Sequence, residues 1–245
     1  MRRLDDHGVR DVLLVALTFS TGAIDAISFL VLGKVFSAFM TGNIVFLGFE
    51  VGGAPGPSTW RTIASVGAFG AGAFLGTRVV APTAGAGAVW PRRVTAALAA
   101  GAVAQVVFLG LWLAVGGRPA SGSANALIAV SALAMGMQTA AVFSLGVRAV
   151  FSTAATATWT ALLGDVATWS HTRDERHRLA GVLVALFAGA VAGAILVVHA
   201  RPWAALLPLA ISASVVAVAA SRLHPASSGR QDRLAAVGDA SAVGR

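Results

Sequence analysis

The feature that most limits what this chain can become is its succession of apolar runs, at residues 12–32, 36–50, about 60–80, 94–115, 124–146, 150–166, 179–198 and 203–220. The polar stretches between them are too short to hold a soluble domain. A helix needs roughly 20 apolar residues to cross a bilayer, so six of the eight runs are long enough, and 36–50 and 150–166 fall short. Composition agrees: 57% of residues are hydrophobic, 11% are charged and the mean hydropathy is +0.79, whereas soluble domains carry about 25% charged residues. Lipid cannot hydrogen-bond a bare backbone, so apolar runs of this length fold as helices. The pattern predicts an all-α integral membrane protein with about six full transmembrane helices plus two short or re-entrant segments. Residues 1–220 form a single membrane domain, followed by a flexible polar tail at 221–245. The first run mimics a signal peptide, yet it continues to Leu32 without an Ala-x-Ala site, so it reads as a retained span.

Several function classes drop out. With no cysteine in the chain, disulfides, thiolate nucleophiles and Cys-ligated metal sites are excluded. The net charge of +8 does not mark a nucleic-acid binder, because the basic residues sit in short loops instead of a stripe interleaved with aromatics. There is no Gly-x-Ser-x-Gly elbow, phosphate loop or His-Glu-x-x-His run, and the expectation is a protein that is not an enzyme and carries no cofactor. His171, Asp174, Glu175 and His177 are close in sequence. Arg173, Arg176 and Arg178 stand between them and would repel a cation, so no metal site is expected there.

The two halves are alike. Leu32-Gly33 matches Leu145-Gly146 at an offset of 113, which sets Gln138 opposite Asp25, and Thr41-Gly42-Asn43 matches Thr156-Ala157-Thr158 at 115. Small residues at Ala64, Ala68, Gly72 and Gly76 recur as Gly181, Ala185, Gly189 and Gly193, at 117. Offsets this steady indicate a duplication, with one repeat at about 11–116 and the other at about 124–220. Small residues four apart share a helix face and let another backbone come close. Each row is therefore an interface, either with another helix of the chain or with a second copy in a homo-oligomer.

Charge then decides how the short runs lie. If all eight runs cross, six basic residues fall outside; if 36–50 and 150–166 dip in and return, only Lys34, Arg61, Arg118 and Arg201 of the 18 do. The positive-inside rule favours the second arrangement, with both termini cytoplasmic. Three crossings per half is an odd number, so the repeats are inverted. That is the architecture in which transporters bring short helices together near the bilayer middle.

The run Phe36 to Gly48 carries Thr41-Gly42-Asn43 between apolar neighbours, and a short, glycine-interrupted segment is a sequence pointer to a transporter site. Asp25 with Phe29-Leu30, Leu32-Gly33, Val35-Phe36, Met40-Thr41-Gly42-Asn43 and Phe46-Leu47-Gly48 resembles the YoaK-like family of bacterial membrane proteins. The resemblance covers most of residues 10–220 and implies a polytopic protein of the inner membrane. It implies no reaction.

Asp25 is the one acidic residue well inside a predicted span. A carboxylate there costs about 2.5–3.5 kcal/mol on insertion scales, so it should face the interior and have partners. Thr41, Gly42, Asn43, Gln138, Thr156 and Thr158 are the candidates to share a substrate or ion site with it. Asp165 and Glu50, which close the short runs, read as solvated ends, and Gln105 and His199 as packing or interface residues. The leading expectation is a small-solute transporter whose partners are the bilayer and that solute. A membrane scaffold in which Asp25 is structural is the alternative. An intramembrane enzyme using Asp25 and Asp165 comes third, because Asp165 lies at a segment end.

Overall fold

The computed structural model describes residues 5–81, 88–147, 155–168 and 173–224. They form α1 (Asp6–Val31), α2 (Met40–Val51), α3 (Thr59–Val80), α4 (Arg92–Ala114), α5 (Ser121–Phe143), α6 (Ala155–Thr168), α7 (Arg173–His199) and α8 (Leu206–Arg222), with a 3-10 turn at Arg201–Trp203 before α8. Six of these helices are long and apolar enough to cross a membrane. At 12 residues α2 is about 18 Å long, well short of a crossing.

Three boundaries differ from the sequence reading. Helix α1 begins at Asp6 because Asp5 caps it, its side chain accepting from Gly8 N–H at 2.8 Å. Helix α7 begins at Arg173, so Glu175 to Arg178 are helical turns and not a loop; His171 lies outside the described residues, as do Thr153 and the tail beyond His224. The third difference matters most for function. The interruption after α1 is not at Gly42, which sits inside the first turn of α2, but in the non-helical stretch between Val31 and Met40.

Packing repeats across the halves. The first long helix of each half lies against the third element of the other, α1 on α7 and α5 on α3, and also against its last helix, α1 on α8 and α5 on α4. The short helices behave alike, α2 resting on α3 and α6 on α7. The small-residue rows make these seams. A Cβ at Gly72 or Gly76 would run into the α5 backbone at Leu133 and Met137, and one at Gly189 or Gly193 into the α1 backbone at Phe19 and Ala23. The interface is thus within the chain. Each partner answers with its own glycine: Gly136 meets Phe69 of α3, and Gly22 meets Leu186 of α7. Those two glycines lie 114 apart, which makes Thr139, not Gln138, the counterpart of Asp25. The offset of 113 holds only at the helix ends.

Two apolar clusters fix the directions of the helices. One gathers Ile24 and Ile27 of α1, Phe108 and Trp112 of α4, Leu127 and Ile128 of α5, Val197 of α7 and Ala204 and Ala205 before α8. The other gathers Leu13 and Leu14, Val94 and Leu98, Ala141 and Val142, Val182, Val215 and Ala219, with Val80 of α3. Going from the second cluster to the first, α1, α4 and α7 run N to C while α5 and α8 run C to N. Thus α1 is antiparallel to α5 and α4 to α8; Ala64 and Phe69 of α3 pack on the first cluster and Val80 on the second, so α3 is antiparallel to α7 as well, and the repeats are inverted.

Polar contacts separate the two ends. At the first, the Arg61 guanidinium packs over Gly33 and donates to Asn125 Oδ1 at 3.0 Å, and Trp112 Nε1 donates to the Arg201 carbonyl at 3.0 Å. At the second, Arg178 reaches Asp11 at 3.3 Å and Trp90 Nε1 donates to Thr95 Oγ1, which also meets His224 Nε2 at 3.0 Å. Burial and the nearby Arg92 charge hold the His224 imidazole below its usual pKa.

Candidate functional site

The site grows from the turn that ends α1. Gly33 and Lys34 both take positive φ, 97° and 65°, a conformation glycine adopts freely and lysine rarely. Two such residues in succession reverse the chain and send it back alongside the helix it has just left. Val35, Ser37 and Ala38 are buried, and the Ser37 hydroxyl meets that of Ser131 in the middle of α5, so non-helical backbone lies within the length of a helix long enough to cross a membrane. That is tolerated only where protein supplies the hydrogen bonds that lipid cannot.

Asp25 and Asn43 supply them. Asp25 Oδ1 accepts from the backbone N–H of Ser37 and of Ala38, both at 2.8 Å. Asn43 pairs with Phe36 as a strand neighbour would, Oδ1 accepting from its N–H at 3.0 Å and Nδ2 donating to its carbonyl at 2.8 Å. Ser65 of α3 donates to the same carbonyl, and the Ser37 and Ser131 hydroxyls share a bond of 2.7 Å that ties the stretch to α5. Asp25 thus places a carboxylate at the start of α2, where unpaired N–H groups and the helix dipole favour negative charge.

Beside this stretch lies a cavity of about 550 Å³, bounded by Asp25, Phe29, Phe36, Phe39, Thr156 and the α7 residues Leu186, Ala190 and Ala194, among others. Its size is that of a small-molecule pocket, and a mostly apolar wall with a few polar groups is the usual build of one. The Phe36 ring stacks on Phe29 at 4.9 Å and meets Phe39 edge-on at 5.2 Å. Lys34 Nζ rests over the Phe29 ring at 5.0 Å, a cation–π contact. A Cβ at Gly42 would press on the Phe39 and Phe36 rings, so this glycine makes room for the aromatic wall and does not break a helix.

Of the residues singled out from the sequence, Asp25 and Thr156 meet at the cavity. Asn43 is fully buried and holds the unwound stretch, while Thr41 is exposed and stands away from the cavity lining. Gln138 goes elsewhere, its Nε2 donating to Thr21 Oγ1 at 2.9 Å and the Leu17 carbonyl at 3.3 Å. Thr158 is buried on α6. Asp165 is fully buried and bonded to Arg176 Nε at 2.5 Å, not solvated as its place at a segment end suggested; the first turns of α7 fold over it. Glu50 is exposed, as read. Among the described residues no group of three or more His, Cys, Asp or Glu is placed to hold a metal.

Thr21, Ser37, Ser65 and the rings of Phe29, Phe36 and Phe39 are contributors that sequence reasoning passed over. The spacing of the phenylalanines across the Gly33-Lys34 reversal was the signal, legible only once the turn is known to fold the chain back on α1.

These features define an all-α, multi-pass membrane protein with an unwound, internally capped segment in its first half. Residues 13–219 match the family described as "Protein of unknown function (DUF1275)", and the chain belongs to that family. It is 34% identical over 157 residues to the UPF0700 transmembrane protein YoaK of Bacillus subtilis (strain 168), covering 64% of this chain and 67% of that protein. No solved structure matches it.

Proposed function

We propose that the protein is a small-solute transporter of the bacterial inner membrane. The carrying observation is an unwound segment at membrane depth that places a carboxylate on the wall of a 550 Å³ cavity, inside an inverted repeat. Transporters of that build bind substrate beside broken helices and alternate access by moving one bundle against the other. Asp25 is the coupling group in this reading. Thr156 offers the solute a hydroxyl, and the three phenylalanines its apolar contact. The test is uptake by liposomes carrying purified protein, under an imposed pH gradient and over a panel of small solutes, against protein-free liposomes.

The positive-inside rule orients the molecule with both termini in the cytoplasm, since Lys34, Arg61, Arg118 and Arg201 gather at the opposite end. The chain has no cysteine, so single-cysteine variants report sidedness directly. Ala120→Cys is expected to react with an impermeant maleimide in intact cells and Ala88→Cys only after lysis; the reverse pattern would overturn the orientation.

A second reading has its own support. Both hydrogen bonds of Asp25 go to backbone of the same chain, as in a membrane scaffold whose carboxylate only fastens a loop.

A further inference from the structure

A second polar site reaches beyond the Asp25 cavity and is joined to it through Thr21, which lines the cavity and bonds to Gln138. Helices α1, α8, α4 and α5 close a ring through the contacts α1 on α8, α8 on α4, α4 on α5 and α5 on α1. When the halves are exchanged, the pairs α1–α5 and α4–α8 map onto themselves, so the pseudo-two-fold axis passes through the middle of this ring. Inverted-repeat transporters bind on that axis, near the bilayer middle.

The two apolar clusters leave a layer between them there: after Leu17 and before Ile24 on α1, between Leu98 and Phe108 on α4, between Met135 and Ala141 on α5, and between Ala205 and Val215 on α8. Polar side chains fill all four gaps, namely Ser20 and Thr21, Gln105, Gln138 and Ser212. Some are paired. Ser20 Oγ donates to the Pro208 carbonyl at 3.2 Å, and Gln138 Nε2 to Thr21 Oγ1 at 2.9 Å. Three buried oxygens are not: Thr139 Oγ1, next to Gln138 in the α5 gap, and Gln105 Oε1 and Ser212 Oγ, whose residues are 3% and 4% exposed, have no partner. Gln105 and Ser212 point inward. Gly101, one turn before Gln105, faces the α5 backbone at Ala134, and Pro208, one turn before Ser212, accepts from α1.

Buried side-chain oxygens without a partner are rare, because each forfeits its hydration, and a polar niche that protein does not satisfy usually holds water. The groups named here are uncharged donors and acceptors, which suits a neutral hydrogen-bonding ligand. We propose that the centre of the ring is a hydrated on-axis site, where ordered water shared by Gln105 Oε1 and Ser212 Oγ joins the Gln138–Thr21 pair. It stands whether or not the Asp25 cavity carries a solute.

Thermal melting of purified Gln105→Met, Ser212→Ala and the double variant tests it. Removing either oxygen from a shared water network lowers the melting temperature, by about 2–4 °C, and the double variant melts no lower than the worse single. A dry site behaves oppositely, because deleting an unpaired buried oxygen raises the melting temperature. A rise in either single variant, no change, or fully additive losses would overturn the proposal. Should Gln105→Met fail to fold, the direction of the Ser212→Ala shift still decides.

Discussion

Alanine at Gly72 or Gly189 destabilises the protein, and alanine at Gly67 does not. A row of small residues by itself says only that another backbone comes close. The structure makes the seam tighter. The first carbon added at Gly72 meets the Leu133 carbonyl and backbone of α5, and at Gly189 it meets the Phe19 carbonyl and backbone of α1, while Gly67 has nothing within 4 Å. A backbone neighbour cannot rotate aside as a side chain can, so the helices must separate and lose their contact along the seam. Overpacking of this kind costs about 1–3 kcal/mol for the smallest insertions and more for larger ones. Melting temperatures in detergent check it. The inverted repeat adds a second condition, that Gly22→Ala and Gly136→Ala show losses similar to each other. A protein indifferent to alanine at Gly72 and Gly189 would not have these seams.

Asp25→Ala is expected to do comparable damage by a different route. It leaves the Ser37 and Ala38 N–H groups, each bonded at 2.8 Å, without an acceptor at a depth where lipid offers none. Bonds to charged groups contribute about 1.5–3 kcal/mol each, so losing both costs about 3 kcal/mol or more. Asp25→Asn keeps an acceptor oxygen in the same place and gives up only the charge assistance, about half of each bond. The expected order of melting temperatures is therefore wild type, then Asn, then Ala well below. Equal melting of Ala and wild type would mean that Asp25 does not hold the unwound stretch.

The architecture was readable in the sequence because lipid imposes it. Length and hydropathy mark six crossing helices, and the rows around Gly72 and Gly189 reveal both the duplication and its seams, since only small residues let backbones approach that closely. The site was half legible. Asp25 stood out because a carboxylate inside a span is costly, and Asn43 because it interrupts an apolar run. What the sequence could not convey is that the chain reverses at Gly33 and Lys34 and unwinds through residues 35–39, because an extended apolar stretch reads like the start of a helix. For that reason the break was placed at Gly42, and the aromatic wall went unnoticed. Asp165 was misjudged for a related reason. Its burial depends on the first turns of α7, which polar composition presents as loop.

The central claim is that a solute moves through the Asp25 cavity with Asp25 as coupling group, and Asp25→Asn is the variant that isolates it, because the fold survives the change. Uptake of the transported solute into liposomes under a pH gradient is measured for wild type and Asp25→Asn, with melting temperatures taken in parallel. The account predicts gradient-driven uptake by wild type and its loss in a folded Asp25→Asn protein. Equal uptake by the two, or a wild-type protein that moves nothing across a broad panel, would contradict it and leave Asp25 as the fastener of a scaffold.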